Sequence, residues 1–269
     1  MSPRGANLAQ QVAVADADVG SSLTPRLAVE PQHGLTFVLV HGAWHGGWCW
    51  RAVRERLMAA GHKVFTPTLT GLGERAHLRG INIGLETHIQ DVIAPIECEE
   101  LRAIVLAGHS YGGTVITAVA ARMPERVRSL VYLDAILPDA GRAILEHTSE
   151  DQRKLAALHT VDGYLHPALE VSAFGIPESD RRTSEWMRRR LTPHPIQTFL
   201  DPLRLPQGRW PGHPKTYVRC TNPHFALGID TDVESFRGDP DWFLIDLDAG
   251  HNAMMIAPDA VASIFLASA

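Results

Sequence analysis

The amino-acid sequence predicts an α/β fold built on an open, mostly parallel, doubly wound sheet. From Leu35 onward, short apolar runs rich in β-branched residues alternate with longer stretches whose apolar residues recur at helical spacing. Such alternation is typical of parallel strands joined by right-handed helical crossovers. It is interrupted once, over residues 138–213, which are rich in Pro and Arg. An insertion of that length predicts a helical cap at the sheet edge where ligands bind.

Six short runs predict the strands. The first, Leu35–Val40, is almost wholly apolar, as expected for a strand buried on both faces of a parallel sheet. The other five runs are rich in β-branched, aromatic or aliphatic residues: Lys63–Leu69, Arg102–Ala107, Ser129–Leu133, Lys215–Cys220 and Trp242–Leu247.

Apolar stripes and small residues between these runs predict the helices. Gly61 suits the C-terminal cap of the first helix, and Pro95 must lie near the end of the second. Pro258 suits the first turn of the last helix. The helical signals are, in order, Trp50, Val53, Leu57 and Met58; Ile89, Val92, Ile93 and Ile96; Thr114–Arg122; Glu185–Leu191; and Val261, Ile264 and Phe265.

Composition and charge exclude several classes of protein. The chain has 269 residues, of which 45% are hydrophobic and 20% charged, so we do not expect a disordered or fibrous protein. It carries 25 basic and 30 acidic residues, a net charge of −5, which argues against a nucleic-acid partner or an anionic membrane. No apolar run approaches the roughly 20 residues that a transmembrane helix needs.

The same pattern suggests a division of the chain. Residues 1–34 are expected to form a loosely ordered arm, because they lack long apolar blocks and a secretory-signal pattern. Residues 35–137 and 214–269 are expected to form the α/β core, and residues 138–213 the cap. Cys49, Cys98 and Cys220 are odd in number and far apart, which favours free thiols and a cytoplasmic protein.

The strongest chemical motif is a G-x-S-x-G sequence at Gly108–Gly112, which follows a predicted strand and precedes a predicted helix. In that context the serine occupies a strained turn, and its hydroxyl projects above the sheet beside a helix N-terminus. Ser110 is therefore the predicted nucleophile. An ordinary tight turn between strand and helix is the alternative interpretation.

A serine nucleophile needs a base to accept its proton, and His251 is the best candidate. It follows the last predicted strand, and a nucleophile followed along the chain by such a histidine is the order found in α/β-hydrolases. His41 and His45 are four residues apart, but the glycines around them indicate a loop rather than a metal-binding helix. We therefore predict no metal site at these histidines.

Two backbone amides are predicted to form an oxyanion hole. One is the N–H of Tyr111, directly after the nucleophile. The other is expected from the glycine-rich loop after the first strand, residues 41–48, and Ala43 is the chosen donor. A simple turn at the end of the strand is the alternative.

Six segments together resemble the α/β-hydrolase superfamily. They resemble in particular its branch of bacterial carboxylesterases, pyrethroid-type ester hydrolases, plant methylesterases and hydroxynitrile lyases. The resemblance runs from about Leu35 to the C-terminus and implies a Ser-His-acid triad and an acyl-enzyme mechanism without a cofactor. The segments are LVHGAWHGGWCW, GHKVFTPTLTGLGER, LAGHSYGG, VYLDAILPD, LTPHPIQTFLDPLRL and DAGHNAMMIAP.

Two positions separate the hydrolases from the lyases in this branch. The lyases carry threonine where Gly42 stands and lysine where Asn252 stands, and this sequence has neither. Hydrolysis of small to medium apolar carboxylic esters is therefore the expected activity, with cyanohydrin cleavage as the alternative. A ligand-binding receptor on a hydrolase fold is a further alternative from another class.

Several residues are candidates for the acid of the triad. Relatives place an aspartate just after the strand that precedes the last one, which corresponds here to residues 220–224, where no carboxylate occurs. Asp134, at the end of the predicted strand Ser129–Leu133, is the preferred acid, although it could instead cap a turn. The remaining candidates are Asn222 as an uncharged orienting residue, Asp230, Asp232 and Asp248.

The substrate pocket is expected to include Gly42 and Trp44 from the glycine-rich loop and Trp186 from the cap. Aromatic residues at such positions would make the pocket apolar, but at such spacing they are also common in cores. The expected partner is a small-molecule ester. The sequence leaves a homodimer open.

Overall fold

Parallel strands form the centre of the molecule. The structure is a computed structural model that describes residues 34–80, 82–137, 139–167, 171–223 and 233–269. The strands are β1 Thr36–Val40, β2 Lys63–Phe65, β3 Ile104–His109, β4 Val127–Leu133, β5 Thr160–Val161, β6 Tyr164–Leu165, β7 His194–Pro195, β8 Lys215–Cys220 and β9 Trp242–Leu247. In this described part, six of them form one parallel sheet in the order β2-β1-β3-β4-β8-β9. The predicted arm, apart from Gly34, lies outside the described residues.

Helices cover both faces of the sheet, because its inner strands are apolar on both sides. In β1, Phe37 and Leu39 face one core cluster with helices α1 and α8, whereas Val38 and Val40 face a second cluster with α2 and α3. The helices are α1 Arg51–Ala59, α2 Leu85–Cys98, α3 Gly112–Arg122, α4 Glu150–Leu158, α5 Arg181–Arg188, α6 Gln197–Leu200, α7 Ala253–Ile256 and α8 Pro258–Ala267.

The predicted fold class is confirmed, and β8 and β9 have the predicted bounds. The strand predicted over Lys63–Leu69 is shorter and ends at Phe65. It lies at the edge of the sheet, and beyond it the chain turns inward so that the Leu69 N–H donates to His41. Met58 was predicted to face the core, but it is half-exposed at the end of α1.

Residues 139–213, called the cap segment below, form hydrogen bonds with the loops that follow β1 and β9. They contain α4, α5 and α6 and a small antiparallel sheet in the order β5-β6-β7. Helix α5 begins at Arg181 rather than at the predicted Glu185, because the Asp180 side chain accepts a hydrogen bond from the Thr183 N–H (3.0 Å) and caps the helix there. Within the described ranges, no helix is long and apolar enough to cross a membrane.

Candidate active site

Three strand ends bring the predicted triad residues to one edge of the sheet. Ser110 directly follows β3, Asp134 directly follows β4, and His251 lies in the loop after β9. In the parallel register of β3 and β4, His109 lies opposite Leu133, so Ser110 and Asp134 leave the sheet side by side. The carboxyl edge of a doubly wound sheet is where such folds bind their ligands.

Ser110 occupies a strained turn, with a φ of 52° in the left-handed region that few residues other than glycine adopt. The Ser110 carbonyl accepts hydrogen bonds from the N–H groups of Gly113 (3.0 Å) and Ile136 (2.9 Å), which hold the turn. A side chain at Gly108 would place its Cβ 2.6 Å from the Gly112 carbonyl oxygen, so the sharp turn requires glycine there. Ser110 is 8% exposed.

His251 and Asp134 form a short hydrogen bond. The Nδ1 of His251 lies 2.6 Å from Oδ2 of Asp134, and both side chains are largely buried. The other carboxylate oxygen, Oδ1, accepts a hydrogen bond from the backbone N–H of Cys220 (3.1 Å). Asp134 is held with a φ of 43°, a second left-handed residue at this edge. Because Nδ1 faces Asp134, Nε2 is the imidazole nitrogen that can accept a proton from a serine hydroxyl.

The alternative acids lie elsewhere or outside the described residues. Asn222, the uncharged candidate, is exposed, and its side-chain amide donates to Oδ1 of Asp248 (2.9 Å). Asp230 and Asp232 belong to residues 224–232, which are not described. Among the described residues, the carboxylate that contacts the His251 imidazole is therefore that of Asp134.

His109 contacts both the backbone and the ring of His251, and it was not among the predicted site residues. The Nε2–H of His109 donates to the His251 carbonyl (3.0 Å), and the two ring centroids are 4.5 Å apart. Burial holds the pKa of His109 well below its ordinary value, and the nearby His251 lowers it further. The sequence feature that could have identified His109 is its position inside the G-x-S-x-G motif, directly before the nucleophile.

The two N–H groups predicted to form the oxyanion hole are those of Ala43, in the loop after β1, and Tyr111, directly after Ser110. Across the described residues, neither the Ala43 N–H nor the Tyr111 N–H donates a hydrogen bond, although both residues are buried. Buried amides without a partner are rare in folded proteins. The Nδ1–H of His41 donates to the Gly42 carbonyl (2.9 Å). Since the C=O and N–H of a trans peptide point in opposite directions, this bond helps to fix the direction of the Ala43 N–H.

The predicted pocket residues Gly42 and Trp44 both lie in this loop. A Cβ at Gly42 would lie 2.9 Å from the Ser110 Cβ, so the loop passes directly over the serine. Trp44 has a φ of 64°, and its indole N–H donates to the Leu165 carbonyl in the cap segment (2.9 Å). Its ring packs edge-on against Phe174, 6.0 Å between centroids. Trp44 thus joins the loop to the cap segment.

Trp186, the third predicted pocket residue, lines a different depression. This cavity of about 300 Å³ lies between α1 and α5, and its lining contains neither Ser110 nor His251. The indole packs edge-on against Trp48 (5.0 Å) and lies near the guanidinium groups of two arginines, Arg51 (5.6 Å) and Arg190 (4.4 Å). The structure therefore places Gly42 against Ser110, Asp134 against His251 and Trp44 against Phe174, whereas Trp186 lines the separate depression.

Comparison with known proteins agrees with this architecture. The sequence pattern of the Alpha/beta hydrolase family matches residues 37–264. A carbendazim hydrolyzing esterase from Nocardioides sp. (strain SG-4G) is 39% identical over 241 residues, which cover 84% of this chain and 96% of that protein. Methylesterase 7 of Arabidopsis thaliana is 25% identical over 255 residues, covering 86% of this chain and 94% of that protein.

A solved structure gives the same fold. An extracellular alpha/beta-hydrolase from a Paenibacillus species superposes with a TM-score of 0.75 at 23% identity, covering 87% of this chain and 98% of that one. The chain belongs to the alpha/beta hydrolase family. Within that family it is a carboxylic ester hydrolase, as the sequence analysis predicted.

Proposed function

We propose that the chain is a serine esterase that works through an acyl-enzyme intermediate, with Ser110 as nucleophile, His251 as general base and Asp134 as the acid of the triad. The observation that carries this proposal is the 2.6 Å contact between His251 Nδ1 and Asp134 Oδ2 beside the strained Ser110 turn. Strained backbone persists where the surrounding structure over-determines it, and it is common at catalytic serines.

In the proposed reaction, His251 Nε2 takes the hydroxyl proton while Ser110 Oγ attacks the ester carbonyl. Asp134 keeps the other imidazole proton on Nδ1 and stabilises the imidazolium that forms. The imidazolium then gives its proton to the departing alcohol. In the second half, a water molecule activated by His251 attacks the acyl group and releases the carboxylic acid.

The N–H groups of Ala43 and Tyr111 are the proposed oxyanion hole. Both are buried without an acceptor in the described structure, which supports their binding the negative oxygen of the tetrahedral intermediate. Donors held in place before the reaction stabilise the transition state without reorganisation. Tyr111 also directly precedes α3, whose N-terminus favours negative charge.

The proposed substrates are small to medium apolar carboxylic esters. Trp44 packs against Phe174, whose ring centroid lies 6.4 Å from that of His251, so this side of the site is aromatic. The similarity to a methylesterase suggests esters of methanol as first candidates. In this proposal residues 35–137 and 214–269 form the catalytic core, and residues 138–213 form a cap that bounds the pocket.

Two rival functions have less support. Asn252 is uncharged, and its amide donates to His45 Nε2 (3.2 Å), so this position offers no positive charge for a departing cyanide. A receptor without catalysis was suggested by the missing acid near Asn222, but Asp134 supplies a carboxylate at His251. The three cysteines are free thiols, which supports a reducing compartment such as the cytoplasm.

The test is hydrolysis of p-nitrophenyl acetate and butyrate by the wild type, Ser110→Ala and the control Ser268→Ala. Ser268 lies at the end of α8, and its hydroxyl donates only to the local Ile264 carbonyl (2.8 Å) among the described residues. We expect Ser110→Ala to lose turnover with a nearly unchanged melting temperature, while Ser268→Ala retains it. Turnover that persists in Ser110→Ala would refute the nucleophile.

A further inference from the structure

His45 is held in one tautomer by two contacts. Its Nδ1 lies 2.7 Å from the Ala43 carbonyl oxygen, which can only accept, so Nδ1 carries the proton. Its Nε2 therefore has a lone pair, which faces the side-chain amide of Asn252 at 3.2 Å. Burial lowers the pKa of His45 to about 4, and the imidazole stays neutral in this arrangement at neutral pH. The amide thus selects the imidazole form that donates to Ala43.

Asn252 in turn connects three parts of the site. It directly follows His251 in the chain and is fully buried. Its side-chain amide also contacts the Met187 sulfur in α5 (3.3 Å), and its backbone N–H donates to the Phe174 carbonyl (2.9 Å). The histidine loop, the cap segment and the loop after β1 therefore share this one side chain.

His41 and His45 together hold the two peptide groups on either side of Ala43. His41 fixes the peptide group before Ala43 through the Gly42 carbonyl, and His45 fixes the peptide group after it through the Ala43 carbonyl. With both flanking peptide planes held, the Ala43 N–H has one available direction. The stabilisation that an oxyanion hole gives depends on donors fixed in this way.

We propose that Asn252 and His45 act as a positioning pair, in which the Asn252 amide fixes the His45 imidazole so that it holds the Ala43 N–H toward the oxyanion. This inference rests on the proposed esterase function. Neither residue touches the substrate in this account. Their contribution is to the transition state, so their loss lowers kcat and leaves KM nearly unchanged.

The first experiment compares His45→Leu with His45→Asn. Leucine removes the donor to the Ala43 carbonyl, whereas the side-chain amide of asparagine can still donate to it. We expect His45→Leu to lower kcat at least about tenfold, and His45→Asn to recover most of that loss, with KM within about threefold of wild type in both. The exposed His77→Asn is the matched control and should keep wild-type kcat.

The second experiment is a double-mutant cycle between His45→Leu and Asn252→Leu, with the exposed Asn222→Leu as control. If the two residues act through one contact, the double variant has a kcat close to that of the poorer single variant. A trifluoromethyl ketone binds to the serine as a tetrahedral adduct. Its affinity for each variant should fall in parallel with the kcat of that variant.

Three results would overturn the pair. These are losses in kcat that multiply in the double variant, a lowered melting temperature with kcat preserved, and no recovery in His45→Asn when that variant is folded. A wild-type protein that hydrolyses no ester would instead contradict the proposed function. The two failures are therefore distinguishable, because the cycle is read only against measurable wild-type turnover.

Discussion

Asp134→Asn is the sharpest perturbation of the proposed triad, because the structure predicts how the new amide will lie. The Cys220 N–H donates to Oδ1 of Asp134 (3.1 Å), so an asparagine keeps its oxygen there. Its NH₂ group then replaces Oδ2, 2.6 Å from His251 Nδ1. Two donors cannot face each other, so Nδ1 loses its proton and Nε2 gains one. In that tautomer the imidazole cannot accept the Ser110 proton.

The expected magnitude follows from this tautomer change. In a serine protease, the same change from aspartate to asparagine lowers kcat about 10⁴-fold, and each tenfold step corresponds to about 1.4 kcal/mol. We therefore expect Asp134→Asn to lower kcat by three to four orders of magnitude, or about 4 to 5.5 kcal/mol of transition-state stabilisation. The hydrogen bond to Cys220 is retained, so the melting temperature should change little.

The assay is steady-state hydrolysis of p-nitrophenyl butyrate, with thermal unfolding followed by circular dichroism. The matched control is Asp248→Asn, which changes an exposed carboxylate bonded to Asn222 at the same end of the sheet. We expect the control to keep kcat within about twofold, as for a surface substitution. A folded Asp134→Asn that keeps more than a tenth of the wild-type kcat would show that Asp134 is not the acid of the triad. So would a loss of comparable size in Asp248→Asn.

Three further outcomes are expected. Gly42→Ala puts a methyl group 2.9 Å from the Ser110 Cβ and should lower kcat at least about tenfold; unchanged kcat would contradict the close approach. In Gly175→Ala the new Cβ would collide with the backbone at Gly250, so this variant should have a melting temperature several degrees below that of Gly163→Ala, where φ is also 80° but the space is open. Equal melting temperatures would contradict the collision. The pKa of His45 is lowered from 6.5 to about 4 by burial, so its contribution to stability is present above pH 6.5 and is lost as the pH falls toward 4, at about 1.4 kcal/mol per unit. Because other buried histidines also have lowered pKa values, urea unfolding between pH 7.5 and 4.5 is compared between the wild type and His45→Leu, and equal pH slopes of their free energies of unfolding would contradict it.

Much of the fold could be predicted from the sequence because buried parallel strands have an unambiguous composition. The inner run of β1 is nearly continuous in apolar residues, and the structure buries Phe37 and Val38 on opposite faces. The antiparallel sheet of the cap segment could not be predicted, since strands of two residues such as Tyr164–Leu165 are too short to show a period. The end of β2 at Phe65 could not be predicted either, because the chain beyond it contacts His41, a residue distant in sequence, through the Leu69 N–H.

The candidate site divides in the same way. Ser110 and His251 stand in local patterns that the chain displays directly, a motif between strand and helix and a histidine after the last strand. Asp134 was the preferred acid among several candidates, but its contact with His251 joins residues that follow different strands and depends on the strand order β4-β8-β9, which the sequence does not specify. The partnership of His45 and Asn252 is equally distant in sequence, and neither residue lies in a pattern that pairs them.

Ser110 is proposed as an activated nucleophile, and labelling with a fluorophosphonate measures that activation at the hydroxyl itself. The protein is incubated with the probe, digested and mapped by mass spectrometry. We expect one stoichiometric adduct on the peptide that carries Ser110, with labelling greatly slowed in His251→Ala. An adduct on another residue, or equal labelling of Ser110 in folded His251→Ala, would contradict it.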